Sequence, residues 1–104
     1  MKNYRSAICV ASLLSLVLIS SASAAPVTTK DLSGKVVCYN TGERATYFPG
    51  GKYENNQIGN GTWAVTASGV QLHTERFSGL LDFEKQPDGT ITIDAYHLVG
   101  KYCK

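Results

Sequence analysis

No stretch of this chain is apolar for long enough to cross a bilayer. The longest candidate, about Ile8 to Ile19, is roughly a dozen residues and contains Ser12 and Ser15, against the ~20 that a spanning helix needs. The sequence also has no Cys-x-x-Cys pair and only 3 cysteines, which argues against zinc ribbons and thioredoxin-like redox centres. With 2 histidines, a metal centre or an acid–base pair has few residues to draw on. No segment repeats its apolar residues at the helical period, so nothing points to a helix-built fold.

What the N-terminus does contain is a leader. Lys2 and Arg5 precede the short apolar run, and Ala22-Ser23-Ala24 follows it; that order is the signature of a secretory signal peptide. Cleavage after Ala24 is expected, giving an exported chain, periplasmic or extracellular, with no membrane span. Residues 1–24 are therefore set aside from the fold. The net charge of +2 leaves with Lys2 and Arg5, so eight basic residues balance eight acidic ones in the remainder. No field remains to attract nucleic acid or anionic lipid. The cysteine count becomes even, because Cys9 is lost and Cys38 and Cys103 stay. In an oxidising compartment these two are expected to form one disulfide.

Residues 25–33 read as an extended N-terminal arm, and residues 34–104 as a single β domain. Short runs rich in valine, isoleucine, threonine and aromatics predict strands near Lys35–Asn40, Arg44–Phe48, Lys52–Asn56, Thr62–Ala67, Val70–Glu75, Leu80–Lys85, Thr90–His97 and Lys101–Cys103. Turn chemistry separates them, most clearly at Pro87-Asp88-Gly89. Alternation assigns the faces: Trp63, Val65, Val70, Leu72, Leu81, Phe83, Ile91 and Ile93 point inward, while Thr66, Gln71, His73, Asp82 and Glu84 point outward. The predicted fold is all-β, a small antiparallel meander of about seven to eight short strands. One apolar face must be covered, so the sheet is expected to curl into a barrel or fold as a two-layer sandwich.

The glycine-rich stretch Pro49 to Trp63 resembles a phosphate cradle only superficially. Such a loop runs from a strand into a helix whose first N–H groups hold the anion; here another strand follows. Its glycines are read as turn positions, with Asn60-Gly61 as a hairpin pair. Asn55, Asn56 and Gln57 form a candidate polar tip with the hydrogen-bonding capacity to hold a sugar. Trp63 shares the parity of Val65 and is expected in the core. Tyr39 and Tyr96 are expected on the outer face, as a recognition patch or as cross-strand support.

His73 and Glu75, two apart on a predicted strand, project to the same side, as a metal pair or an acid–base pair requires. A third ligand is missing, so no metal and no cofactor is assigned. His97 is expected on the apolar side, hydrogen-bonded near the disulfide. Ser68 and Ser78 have no evident base beside them, and no catalytic residue is assigned. A domain this small is expected to leave little room for a pocket.

The run from Gly34-Lys35 through Gly61-Thr62-Trp63 to Pro87-Asp88-Gly89 resembles small exported bacterial β proteins of uncharacterised function. That resemblance implies a β fold and no activity. Gly61-Thr62-Trp63 is also similar to the Gly-x-Trp of lipocalins, a motif that belongs near the start of a much longer barrel, so no ligand cavity is carried over. The leading expectation is a non-enzymatic exported module that binds another macromolecule, an envelope polysaccharide or a secreted enzyme that it inhibits. Two alternatives stand beside it. One is a small hydrolase or metal-dependent enzyme using His73 and Glu75; the other is a small-molecule carrier, which demands an internal cavity.

Overall fold

The computed structural model describes residues 23–104; the expected signal peptide lies outside the described residues, except for its last two positions. Across these described residues the chain is nearly all β. Its strands are β1 Ala25–Pro26, β2 Lys35–Tyr39, β3 Arg44–Tyr47, β4 Lys52–Asn55, β5 Gly61–Thr66, β6 Gly69–Thr74, β7 Ser78–Leu81, β8 Phe83–Lys85, β9 Ile91–Ile93 and β10 Leu98–Cys103. A four-residue helix, α1 Thr29–Leu32, precedes β2, and a 3-10 turn, Asp94–Tyr96, follows β9. All ten strands belong to one antiparallel sheet in the order β1-β8-β9-β10-β2-β3-β4-β5-β6-β7. A two-layer sandwich is not formed.

The sheet curls into a half-barrel, and its connectivity shows why. Strands β7 and β8 stand far apart in the strand order, yet a single residue, Asp82, separates them in the chain. The expected strand Leu80–Lys85 thus changes partner midway. Its first part pairs with β6, Val70 opposite Leu81, and its second part pairs with β9, Ile93 opposite Phe83. Two remote parts of the sheet are thereby brought together at one residue. On the far side, β10 closes against β2, with Gly100 opposite Tyr39 and Tyr102 opposite Val37. Cys38 and Cys103 lie diagonally across that seam on the outer face and form the predicted disulfide, with Cα atoms 6.0 Å apart.

Of the residues assigned inward, Trp63, Val70, Leu72, Phe83, Ile91 and Ile93 are buried and Val65 and Leu81 half-buried. Val37, Tyr39, Ala45, Tyr47 and Tyr53, to which no inward direction was assigned, complete the core. Tyr47 is the hub of the core, with ring centroids 5.1 Å from Tyr53, 5.5 Å from Trp63 and 6.4 Å from Phe83, the last two edge-on. Edge-to-face contact suits the ring quadrupoles and adds to the gain from burial. The Trp63 indole N–H donates to the Phe48 carbonyl at 2.9 Å, which satisfies its one polar atom.

Three local expectations are corrected. The N-terminal arm is docked and in part helical: Val27 and Leu32 are buried, and Thr28 and Asp31 form a capping box that starts α1. Val27 and Leu32 seat it at the end of the barrel where β2 begins. Gly61 is not a turn residue with positive φ; that conformation falls to Gly59. Gly61 lies within β5, where an added Cβ would come 1.8 Å from the His73 carbonyl oxygen. The predicted strand through His97 stops at Ile93, and His97 adopts φ 54° at the end of the 3-10 turn, exposed rather than on the apolar side.

Replacing both cysteines, Cys38→Ser with Cys103→Ser, removes a closure over 65 residues and is expected to cost roughly 4 kcal/mol in the chain-entropy account. Thermal or urea unfolding of the double variant against the oxidised protein measures this. Gly100 faces Tyr39, and an added Cβ would stand 2.7 Å from its ring and 2.5 Å from Val37. Gly100→Ala is therefore expected to lose about 1–3 kcal/mol by overpacking, read in the same unfolding experiment.

Candidate functional site

In an antiparallel meander, alternate loops gather at one end. Here the β2–β3, β4–β5, β6–β7 and β9–β10 loops ring the end opposite α1, and they are stitched to one another. Asn40 accepts from Val99 N at 3.1 Å and donates to the His97 carbonyl at 3.4 Å, tying the β2–β3 loop to the β9–β10 loop. Asn56 donates to the Gly42 carbonyl at 3.2 Å, and Gln57 donates to the Thr41 carbonyl at 3.3 Å. Arg76 donates to the Gln57 carbonyl at 2.9 Å, and Thr74 donates to the Ile58 carbonyl at 2.8 Å. The rings of Phe77 and Tyr96, 6.3 Å apart and edge-on, complete the circle.

Inside this rim lies a cavity of about 230 Å³, walled by Tyr39, Tyr47, Tyr53, Leu72, Phe83 and Ile93 below and by Thr41, Glu43, Gln57, Ile58, Phe77, Tyr96 and Leu98 nearer the mouth. Such a space was not expected in so short a chain. Tyr39, Tyr47 and Tyr53 line its inner part with their rings. Gly100, bare beneath the Tyr39 ring, leaves room for that ring to lie where it does.

The polar atoms in the wall are linked. The Tyr39 and Tyr47 hydroxyls share a hydrogen bond at 3.2 Å. Asn55, buried, donates to Glu43 Oε2 at 2.6 Å and to the Tyr53 hydroxyl at 2.8 Å. Its carbonyl accepts from the backbone N–H groups of Gln57 at 2.7 Å and Ile58 at 3.0 Å. Every hydrogen-bonding position of the Asn55 amide is thus in use, which makes a buried amide stabilising and fixes the local geometry. Burial pushes all three phenols above their ordinary range, Tyr53 to about 12. The negative charge of Glu43 adds to that rise at Tyr39 and Tyr53.

Of the residues singled out in the sequence, several lie elsewhere than expected. Tyr39 faces inward, because the disulfide sits on the outer face and Tyr39 has the opposite parity to Cys38. Tyr96 is exposed, on the 3-10 turn rather than on a strand. The two do not share an outer patch; they meet as wall and rim of the cavity. Asn55, Asn56 and Gln57 are not a free polar tip, since all three hold loops together, and of these only Gln57 lines the cavity.

His73 and Glu75 do not form a pair: β6 ends at Thr74, so the alternation stops before Glu75, which lies against Gly59. His73 instead meets Ser78 across the β6–β7 ladder, Nδ1 to Oγ 3.0 Å. The expectation that Ser78 lacks a neighbouring base is thereby corrected. The pair is exposed on the outer sheet, and among the described residues no carboxylate bonds to His73. Among the described residues no three His, Cys, Asp or Glu side chains are grouped to hold a metal ion, and no helix is long and apolar enough to cross a membrane.

Glu43, Ile58, Phe77 and Leu98 are pocket residues that sequence reasoning missed. Glu43, Ile58 and Phe77 sit in loops and Leu98 at a strand end, where alternation carries no information about the direction of a side chain. Compared with known protein families, curated proteins and solved structures, the chain matches none.

The buried phenols make an alkaline prediction. Their pKa values are raised on folding, so the folded chain holds these protons more tightly than the unfolded chain, whose tyrosines ionise near pH 10. The stability linked to them is complete below about pH 10 and is lost as pH rises through 10–12 and above. Tyrosinate absorbance and near-UV circular dichroism, followed together against pH, should show these three phenols ionising only as the fold is lost.

Proposed function

We propose that this protein is a non-enzymatic binding module whose recognition element is the pocket at the open end of the half-barrel, sized for one compact, largely apolar group. The observation that carries this reading is the cavity itself. It is walled by aromatic rings and rimmed by loops that hydrogen-bond to one another, while the docked arm covers the other end of the half-barrel. Ligand sites are typically concave and mostly apolar, with a few placed polar groups, and this cavity has that make-up. At about 230 Å³ it is somewhat larger than the roughly 150 Å³ cavity that accepts benzene in an engineered protein core.

Of the three readings considered from sequence, the carrier-like one gains support and the enzymatic one loses it. His73 and Ser78 stand on an open sheet face without an orienting carboxylate or a cleft, and Glu75 is not beside them. A macromolecular partner, whether a secreted enzyme or an envelope polysaccharide, would have to present a single group to the pocket mouth. The leader signature and the disulfide support export to a periplasmic or extracellular setting.

Titration with indole, followed by amide NMR, tests the proposal. Shifts are expected to cluster at Tyr39, Glu43, Phe77, Tyr96 and Leu98, and Leu98→Trp, which fills the mouth, should abolish them without lowering the melting temperature by more than a few degrees. Shifts spread over the outer sheet, or unchanged in Leu98→Trp, would count against it.

A further inference from the structure

We infer that the ligand of this pocket is a small organic cation, of the quaternary ammonium class, held against the tyrosine rings with Glu43 as its counter-charge. The inference rests on the pocket-binding reading above and adds the chemistry of the occupant.

Two features of the wall carry it. The first is aromatic: Tyr39, Tyr47, Tyr53, Phe77, Phe83 and Tyr96 all contribute to the lining. The faces of such rings are negative and attract a cation, most strongly one that is weakly hydrated. The second is electrostatic. Glu43 is the only member of the Asp, Glu, Lys, Arg and His set in the lining. Its carboxylate accepts from the neutral Asn55 amide and, among the described residues, is paired with no lysine or arginine. An acid beside apolar walls and without a counter-ion favours a cationic ligand, disfavours an anionic one, and gains nothing from a neutral one.

The charge of Glu43 reaches the cavity floor, since it is felt at the hydroxyls of both Tyr39 and Tyr53. The preference for a quaternary over a primary ammonium follows from the same wall. The Tyr39 and Tyr47 hydroxyls are engaged with each other and the Tyr53 hydroxyl accepts from Asn55, so the Glu43 carboxylate is the one strong acceptor left in the wall for the three N–H donors of a primary ammonium. A tetraalkylated nitrogen has none to satisfy.

The test compares choline with 3,3-dimethylbutan-1-ol, its neutral isostere with carbon in place of the charged nitrogen, by calorimetry and amide NMR on the disulfide-bonded protein. Choline is expected to bind at least about tenfold more tightly. Glu43→Gln keeps an acceptor for Asn55 and should bring the two within about threefold, leaving the affinity for the alcohol unchanged; melting curves check its fold. Tyr96→Leu, on an exposed turn where substitution is tolerated, is expected to weaken choline severalfold and the alcohol little. Equal affinity of the unaltered protein for both compounds would overturn the cationic inference while leaving the pocket reading in place. So would failure of both compounds to bind when indole still binds. Silence of all three compounds would overturn both.

Discussion

The pairing of β2 with β10 is the contact on which the remaining architecture depends. Among the described residues this meander of short strands with one apolar face has no helix large enough to cover it, and the sheet buries that face against itself. The partner switch at Asp82 brings β7 and β8 together, but it is local in sequence and needs little loop closure. The β2–β10 seam joins residues more than sixty positions apart, and loop-closure entropy opposes it most. The disulfide across the seam acts at that point. Arg44 adds to it on the outer face, where its guanidinium lies 3.7 Å from Cys38 Sγ and also reaches the Lys104 carbonyl oxygen.

The same seam shapes the interior. Gly100 is the β10 residue opposite Tyr39, and its missing side chain leaves space for the Tyr39 ring. The Tyr39 hydroxyl then reaches Tyr47, whose ring contacts Tyr53, Trp63 and Phe83. Closure of the sheet, placement of the inner phenols and the shape of the cavity are therefore one packing problem. The far end is sealed differently, by Val27, Leu32 and the hydrogen bond from the Tyr102 hydroxyl to the Asp31 carbonyl at 2.8 Å. One end of the half-barrel is plugged with apolar side chains; the other is rimmed by polar loops.

Strand positions and most inward-facing residues were legible in the sequence because alternation is a property of the extended backbone itself. Trp63, Val70, Leu72, Phe83 and Ile91 all follow it, and the disulfide was legible because Cys38 and Cys103 are the two cysteines that remain after the expected leader. Tyr39 shows where parity alone falls short: it states that Tyr39 and Cys38 oppose each other, but not which of them is inside. A tyrosine is amphipathic enough for either face, and its packing against Gly100 across the seam and Tyr47 on the next strand decides. The segment Asp94–His97 was misread because the threonines and isoleucines of Thr90–Ile93 suit a strand and Tyr96 reads as a continuation of their run, whereas the turn into β10 places His97 in the left-handed conformation. The pocket was illegible for a further reason: its mouth is built from loop residues such as Glu43 and Phe77, whose directions are set by hydrogen bonds between loops.

A domain of about 80 residues gains little from its core to begin with, and an unfilled interior gives some of that back. If the cavity were dry and closed, the packing lost over about 230 Å³ would be on the order of 5 kcal/mol at the rate measured for cavities in protein cores; an open mouth that admits water makes this an upper bound. The disulfide contributes roughly 4 kcal/mol in the opposite direction, so the two are comparable in size. A chain this short can keep a hollow barrel end because a covalent bond across the seam offsets the contacts that the hollow forgoes. An occupant with apolar surface would restore those contacts and stabilise the fold as it binds, which ties recognition in the mouth to the closure of the sheet.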